Sequence, residues 1–392
     1  MSVENPFEFG RELSGSELVD RQEELDVVQR VFRERGRLFL IGPRRFGKTS
    51  LLRAAAERAE RDGIVVLRHD AEAYPSTRLL AEGILSEAAQ RLTGSIERAG
   101  KSLRDFFTSL RPTISFHPIT NSFSASITAE KSLSDPALLT SVLDGLDRMA
   151  STYSGSVAVV IDEFQHVIEQ GDGLATERQI RAAIQRHDHI AYVFAGSKTA
   201  MLAEMTSDAA RPLYRLGQRL FLGPIPREDF VPFLKQSFED SGFSVRDEAV
   251  LTLLDLAEDV PYNVQRLAYA CWNTLRNRDC PPALEPHDVR SALDGLVRRD
   301  DPFYSQMWNR LTSTQKNALL AIVRENGTGL FSRDVLDRYD LPQSTMATAL
   351  QAFVSTGLAR REEYEGRTRY RLEDPFFAAW LRLFVAPIDP GS

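Results

Sequence analysis

Short apolar runs alternate with amphipathic segments through the first ~225 residues of the chain. The apolar runs predict five strands, at residues 38–41, 64–67, 157–161, 190–194 and 219–222. The segments between them, such as 49–61 and 76–93, have the 3.6-residue period of helices. Run 157–161 is apolar throughout, which is typical of a strand buried on both faces. The pattern therefore predicts an α/β fold with a five-stranded parallel sheet and helices on both faces.

One segment interrupts this alternation. Residues 113–116 and 123–128 alternate between apolar and polar side chains with a period of two, which predicts a β-hairpin inserted at about 112–128. Its apolar face could form an interaction surface or cover the core, and the sequence leaves both open.

The remainder of the chain has a different pattern. Helical periodicity at 227–241, 247–257, 263–277 and 286–299 predicts a small helical lid domain over 226–302, after a sheet domain over 1–225. The last part, 303–392, predicts three helices at 313–325, 332–338 and 343–356, followed by strands at 359–364 and 368–372. Three helices and a two-stranded wing predict a winged helix-turn-helix domain.

Composition and charge restrict the class of protein. The 392 residues are 43% hydrophobic and carry a net charge of −7, typical of a globular chain and unlike a protein that coats nucleic acid. No apolar stretch is long enough to span a membrane, so we expect a cytoplasmic protein without membrane contact. Cys271 and Cys280 are too few for a disulfide framework and are expected to be reduced thiols.

The segment Gly42-Pro43-Arg44-Arg45-Phe46-Gly47-Lys48-Thr49 matches GxxxxGK[ST] between a predicted strand and a predicted helix. This context predicts a phosphate loop that binds ATP or ADP with Mg²⁺. Backbone N–H groups would surround the phosphates, Lys48 would reach the β- and γ-phosphates, and the Thr49 hydroxyl would bind Mg²⁺. We expect Lys48 to face solvent in the empty loop. The nucleotide-contacting residues predicted here are Gly42, Pro43, Arg44, Arg45, Phe46, Gly47, Lys48, Thr49 and Ser50.

Two adjacent carboxylates follow the apolar run 157–161. At the carboxyl end of a parallel strand, Asp162 would hold Mg²⁺ and Glu163 would activate the attacking water. A solvated acidic strand end is the alternative. The second carboxylate favours an ATPase over a protein that only binds nucleotide.

Polar residues near two other strand ends complete the predicted site. Ser197 follows run 190–194 and could contact the γ-phosphate or the water, or cap the helix predicted at 201–206. Arg211 and Arg215 precede the last strand. We predict that Arg215 stabilises transition-state charge, in its own chain or a neighbouring one, with Arg211 or a surface role as alternatives.

These motifs resemble, in order, the archaeal-type ATPase family of the STAND class of AAA-related P-loop ATPases. The resemblance rests on Asn5-Pro6-Phe7, Val19-Asp20-Arg21-Gln22-Glu23-Glu24-Leu25, the phosphate loop, Ile161-Asp162-Glu163-Phe164-Gln165, Ala195-Gly196-Ser197 and Pro212-Leu213-Tyr214-Arg215. The closing segment from Tyr370 to Leu381 is similar to the end of that family's winged helix.

The resemblance implies a base-binding region. The segment with Val19, Asp20 and Arg21 would contact the adenine, and Pro261 would match a Gly-x-Pro turn of the lid that closes over the base. Asp259 replaces the glycine of that turn. The residues alone also allow a second interpretation, in which Pro261 is simply a proline that starts a helix.

The winged helix could bind DNA, dock on a protein, or dock within the chain and hold the nucleotide domain closed. From Phe303 to Ser392 there are 11 Lys and Arg against 10 Asp and Glu, a net of +1, and the predicted recognition helix is uncharged over 343–351. Arginines crowd the wing at 360, 361, 367, 369 and 371, where they could meet a DNA backbone. The first hypothesis is an ATP-driven switch of the STAND type that rearranges domains, binds an unknown protein partner and could form a nucleotide-dependent homo-oligomer. The second is a nucleotide-regulated protein that binds double-stranded DNA.

Overall fold

The computed structural model describes residues 4–13, 18–93, 105–107, 110–117, 119, 122–128, 133–278 and 283–385. The chain divides into two compact units, one formed by Glu12–Gly223 and the other by Met1–Arg11 with Pro224–Ser392. The predicted boundaries at 225 and 302 remain predictions. Cys280 and part of the hairpin turn lie outside the described residues.

The first unit contains a five-stranded sheet. The strands of this unit, in chain order, are β1 (Arg37–Ile41), β2 (Val65–Asp70), β3 (Pro112–His117), β4 (Ser122–Ile127), β5 (Val157–Asp162), β6 (Ile190–Gly196) and β7 (Gln218–Phe221). The sheet order is β2-β5-β6-β1-β7 and all pairings are parallel. Its described helices are Gln22–Arg33, Lys48–Arg61, Thr77–Thr93, Asp135–Ala150, Gln165–Gln170, Gly173–Ile184 and Thr199–Ser207.

Burial follows the predicted apolar runs. Every residue of β5 and β6 is buried, as expected for central parallel strands with helices on both faces. The edge strand β7 is mostly exposed. The predicted α/β fold with a five-stranded parallel sheet is confirmed.

Strands β3 and β4 form an antiparallel hairpin that packs on the helix Thr77–Thr93. The Ala125 backbone N–H donates to Ser86 Oγ at 2.7 Å, and the Ile127 N–H donates to Glu82 Oε1 at 3.0 Å. Ala125 and Ile127 belong to the core, whereas Ile119 is fully exposed. One face of the hairpin therefore covers the core.

The second unit is mainly helical. Its described helices are Arg227–Asp240, Asp247–Ala257, Pro261–Arg276, Pro286–Arg299, Asp301–Asn309, Ser313–Arg324, Arg333–Arg338, Gln343–Ser355 and Pro375–Trp380. Two short strands, β8 (Ser244–Val245) and β9 (Ala283–Leu284), pair in parallel. The wing consists of the antiparallel strands β10 (Ala359–Tyr364) and β11 (Arg367–Leu372). Near the N-terminus, Phe7 is buried and its ring lies 4.6 Å from that of Phe238.

Several helices were absent from the sequence prediction. The largest is Asp135–Ala150, which starts with a proline at its first turn and buries Leu139, Val142 and Leu146 in the core of the first unit. It follows the β-patterned hairpin instead of a strand of the main sheet, so the expected alternation of strand and helix gave no reason to place it. No helix of the described residues is long and apolar enough to cross a membrane.

Candidate functional site

The phosphate loop connects β1 to the helix Lys48–Arg61, as predicted. A Cβ atom on Gly42 would lie 2.8 Å from the carbonyl oxygen of Leu222, so the loop passes too close to that backbone for any side chain. Gly47 has φ +89°, in the left-handed region that favours glycine, and Arg45 shares that region with φ +70°. The sequence pattern thus reflects local backbone requirements.

Lys48 and Thr49 follow this turn directly. Lys48 is buried, with its Nζ donating to the Pro43 carbonyl oxygen at 3.0 Å, so the expectation that it faces solvent is wrong. Lys48 is the first residue of its helix, and its side chain lies against the backbone of the phosphate loop, which buries it. Thr49 Oγ1 donates to Asp162 Oδ2 at 2.8 Å. The hydroxyl and the carboxylate predicted to bind Mg²⁺ are therefore side by side.

Asp162 is the last residue of β5 and is almost completely buried. Burial raises the pKa of its carboxyl group, against the opposing effect of the Thr49 hydrogen bond. Its Oδ1 accepts the Glu163 backbone N–H at 2.9 Å. One carboxylate and one hydroxyl fit the Mg²⁺ ion of a nucleotide complex, which takes most of its ligands from phosphates and water.

Glu163 has a left-handed backbone with φ +48°, which is uncommon for a residue with a side chain. Its Oε2 accepts hydrogen bonds from Ser197 Oγ at 2.7 Å, from the Ser197 backbone N–H at 3.3 Å and from Gln165 Nε2. Burial acts to raise the pKa of Glu163, but the hydrogen bonds from Ser197 and Gln165 together lower it.

Ser197 directly follows β6, and its hydroxyl binds Glu163 instead of capping a helix. The next helix, Thr199–Ser207, begins after Lys198 and has no side-chain cap. The helix-cap alternative for Ser197 is therefore wrong. Ser197 Oγ also lies 3.5 Å from Arg44 Nε, which links it to the phosphate loop.

The other loop residues have varied surroundings. Arg44 is exposed and lies 3.7 Å from Glu72, while the Phe46 side chain is buried. Ser50 Oγ accepts the Leu13 backbone N–H at 3.1 Å, so it binds the chain segment before the first helix.

Arg211 and Arg215 differ in their partners. Arg211 pairs with Glu177, whose side chain is fully buried, and with Glu204 at 2.7 Å. Arg215 is exposed, has φ +54° and lies over the Tyr214 ring at 5.0 Å. Within the described part of the chain, Arg215 forms no ion pair. Of the two arginines, only Arg215 has a guanidinium that is not already held by carboxylates.

The segment assigned to the adenine lies at the start of the helix Gln22–Arg33. Val19 and Arg21 are buried, and Arg21 donates to Glu24 Oε1 at 2.8 Å and to the Gly223 carbonyl oxygen at 2.6 Å. The Arg21 side chain thus fastens this segment to the chain after β7. Its role toward the base remains a prediction.

Pro261 is the first residue of the helix Pro261–Arg276, as in the helix-start interpretation. Asp259 has φ +56°, the conformation that a glycine would favour at this position of the turn. Its two carboxylate oxygens accept from Arg227 Nε and Nη2 at 2.8 and 2.9 Å. The Asp259 turn is therefore held by a two-point ion pair, and contact of Pro261 with the base remains a prediction.

Several arginines of the wing form ion pairs with carboxylates. Glu258 Oε2 lies 2.9 Å from Arg360 Nη2 and 3.3 Å from Arg371 Nη1. Both guanidinium groups also approach Glu362, at 3.5 and 3.4 Å. We call Glu258, Arg360, Arg371 and Glu362 the wing cluster. Arg369 Nε also lies 4.0 Å from Glu362 Oε1, so three of the five arginines expected to be available to DNA pair with carboxylates of their own unit.

Gln165 was quoted within the motif but received no role from the sequence. It lies two positions after Glu163, and only the structure shows that its amide reaches back to that carboxylate. No signal in the sequence singles out this contact, since Gln165 lies among other polar residues, Asp162, Glu163 and His166.

The parallel sheet, the phosphate loop after β1 and the Asp-Glu pair at the end of β5 define a P-loop ATPase-type domain. Residues 18–261 match the family model described as an ATPase domain predominantly from Archaea, and the chain belongs to this family. Residues 302–383 match the model of a probable winged helix domain, which confirms that prediction.

Solved structures share the fold. A Walker-type ATPase of Pyrococcus abyssi is 19% identical, with 96% of this chain and 99% of that chain covered and a TM-score of 0.64. The Aeropyrum pernix ORC2 protein, in a structure of its ADPNP–ADP complexes, is 16% identical, with 94% and 93% covered and a TM-score of 0.55. No curated protein matches the sequence.

Proposed function

We propose that this protein is a Mg²⁺-dependent ATPase that acts as a switch of the STAND type, in which ATP binding and slow hydrolysis alter domain arrangement and partner binding. The observation that carries the proposal is the convergence of Thr49, Asp162 and Glu163, with Thr49 Oγ1 and Asp162 Oδ2 2.8 Å apart. These groups lie beside Lys48 and the phosphate loop. Bound Mg²⁺ would neutralise phosphate charge.

Each residue has a defined part in this proposal. Backbone N–H groups of the loop and Lys48 would bind the phosphates, and Thr49 and Asp162 would hold the metal. Glu163 would accept a proton from the attacking water, with Ser197 holding its carboxylate. Arg215 would meet the charge that develops on the transferred phosphoryl group.

The winged helix, in this proposal, docks within the protein or on a protein partner. The wing cluster supports this role because it occupies Arg360 and Arg371, two cations that phosphate binding would require. A DNA-binding function would instead need these arginines to leave their carboxylates.

The experiment that tests the proposal compares the wild-type chain with Glu163→Gln. The substitution keeps the shape of the side chain and removes the base, so ATP should still bind while Mg²⁺-dependent phosphate release falls by about 10² to 10⁴-fold. Glu169→Gln is the matched control, because Glu169 is exposed and binds Lys198. A variant that hydrolyses at the wild-type rate would show that another residue activates the water.

The partner is sought with the same variant. Glu163→Gln held in ATP and wild type held in ADP are each used to capture proteins, and the switch predicts a protein bound in only one of the two states. Identical capture in both states would contradict the switch while leaving the ATPase assignment intact.

A further inference from the structure

Gln165 is a polar residue in a fully buried position. It is the first residue of the helix Gln165–Gln170, and none of its surface is exposed. Its Nε2 donates to Glu163 Oε2 and lies 3.4 Å from Ser197 Oγ. Its Oε1 accepts no hydrogen bond from the described residues. A buried amide with one unsatisfied atom costs free energy, so its retention needs an explanation.

The neighbouring Gly196 makes space for the side-chain amide of Gln165. Gly196, the last residue of β6, has no side chain, and a Cβ atom there would collide with the Gln165 Oε1. The glycine thus allows the amide to lie beside the end of β6, with its Nε2 toward Glu163 and Ser197.

The donors around Glu163 are distributed unequally between its two oxygens. Within the described residues, the hydrogen bonds from Gln165 and Ser197 all reach Oε2. A carboxylate has about four acceptor positions, two on each oxygen. Oε2 is therefore saturated, and Oε1 is the oxygen left to accept a proton.

We infer that Gln165 is a positioning residue for ATP hydrolysis, which together with Ser197 fixes Oε2 of Glu163 so that Oε1 is available to the attacking water. This inference rests on the proposed function. Gln165 does not touch the reacting atoms. It restricts rotation of a carboxylate whose backbone already has an unusual conformation.

The test uses the full chain with Gln165→Met, which nearly keeps the volume and removes the N–H donors. Because a displaced catalytic group can slow a reaction by about 10²-fold, we expect kcat to fall by about 10- to 100-fold. KM and the Kd for ATP should stay within about twofold, since no phosphate contact is lost. Gln170→Met is the matched control, because Gln170 ends the same helix, is exposed and contacts Thr77 and Tyr74.

A double-mutant cycle separates positioning from a general structural role. In a Glu163→Gln background, Gln165→Met should cause no further loss of kcat, because the group that it positions is already inactive. An additional loss of equal size would overturn the inference. If Gln165→Met fails to fold, Gln165→Asn replaces it, since its amide is polar but too short to reach Glu163, and the same loss is expected.

The outcomes distinguish this inference from the proposed function. A wild-type chain without Mg²⁺-dependent hydrolysis would overturn both. An active wild type with an equally active Gln165→Met would overturn only the role of Gln165. A variant faster than wild type would also overturn it, because Gln165 would then restrain Glu163 in an inactive position.

Discussion

Two acidic dipeptides in this protein are held in opposite ways. Asp162-Glu163 ends a strand of the first unit, and Glu258-Asp259 follows a helix of the second. Glu163, Glu258 and Asp259 all have left-handed backbones, with φ of +48°, +54° and +56°. Backbone conformation therefore does not distinguish Glu163 from Glu258 and Asp259, although Asp162 is extended as the last residue of β5.

The hydrogen-bond partners of the two dipeptides are different. Asp162 and Glu163 accept from uncharged donors, namely Thr49, Ser197 and Gln165. Glu258 and Asp259 instead bind the guanidinium groups of Arg360, Arg371 and Arg227.

The two kinds of partner have different effects on a carboxylate: one orients it and the other neutralises it. An uncharged donor fixes a carboxylate while leaving its net charge, so the group can still bind a cation or accept a proton. A guanidinium neutralises the charge of the carboxylate, and the resulting ion pair holds two parts of the chain together. We therefore expect changes at the first dipeptide to affect chemistry and changes at the second to affect how the second unit is held together.

The largest expected effect is at Arg215, an arginine without a carboxylate partner in the described chain. Arg215→Ala should lower kcat by about 10³ to 10⁵-fold, the loss typical of an arginine finger. Turnover is measured over a range of protein concentrations. A finger supplied by a neighbouring chain makes turnover per chain rise with concentration, whereas one in the same chain gives a flat response.

Arg219→Ala is the control for this change, because Arg219 is an exposed arginine four residues further on. Full activity of Arg215→Ala at every concentration would remove Arg215 from the site. The role would then pass to Arg211 or to a partner protein.

Arg211 extends the comparison to a third acidic site, Glu177. Arg211→Ala leaves the fully buried Glu177 without its cation, so we expect a loss of about 3–5 kcal/mol in the free energy of unfolding. Denaturant unfolding measures this loss. Adding Glu177→Gln should recover part of it, because the buried charge is then removed. A stability loss below about 1 kcal/mol would show that this pair is not structural.

A substitution of Lys48 tests whether the phosphate loop of the first unit binds the phosphates of ATP. Lys48→Ala removes a cation from the phosphate loop, so the Kd for ATP should rise by about 100-fold, the equivalent of one strong charged hydrogen bond. Calorimetric titration with ATP measures it, with circular dichroism to check the fold. An unchanged Kd would end the phosphate-loop interpretation.

The smallest effect is expected in the wing cluster. Its ion pairs are partly exposed, so Glu258→Gln should lower the free energy of unfolding by only about 1 kcal/mol. The same variant removes one carboxylate partner of Arg360 and Arg371, although Glu362 still lies near both. The salt dependence of its binding to duplex DNA should become steeper by up to about two units of log–log slope. Fluorescence anisotropy in a salt series, with ADP and with ATP, measures the DNA affinity of the wild type and of Glu258→Gln.

Glu363→Gln is the matched control for the wing, because it makes the same charge change at an exposed glutamate of β10. A wild-type chain that already binds DNA with a steep salt dependence would break the comparison. It would show that the wing arginines leave Glu258 for phosphates at little cost.

The sequence predicted those features whose causes are local. The phosphate loop could be recognised because Gly42, Gly47, Lys48 and Thr49 are neighbours in the chain and their spacing expresses backbone geometry. The five strands could be recognised because burial on both faces requires continuous apolar runs. The strand boundaries differ from the predicted ones by at most three residues, the largest difference being at β2, which continues to Asp70.

The remaining features depend on contacts between distant residues. The pairing of Glu258 with Arg360 joins positions 102 apart, and that of Arg21 with Gly223 joins positions 202 apart. No local pattern indicates which of the wing arginines meets a carboxylate. The sequence analysis favoured Arg215 over Arg211, but the pairing of Arg211 with Glu177, 34 residues before it, is visible only in the structure.

The order of strands in the sheet has a consequence for synthesis of the chain. In the part of the chain that the structure describes, strand β1, which leads into the phosphate loop, pairs with β6 and β7, and about 180 residues separate Ile41 from Phe221. At about 5–20 residues per second, a ribosome needs roughly 10 to 40 s to cover that distance. Until β6 and then β7 have been synthesised, β1 is an apolar segment with unpaired edges, which favour association with other chains. Nascent chains that end before β7 should therefore depend most on chaperones, and ATP could first support folding only after that strand has emerged.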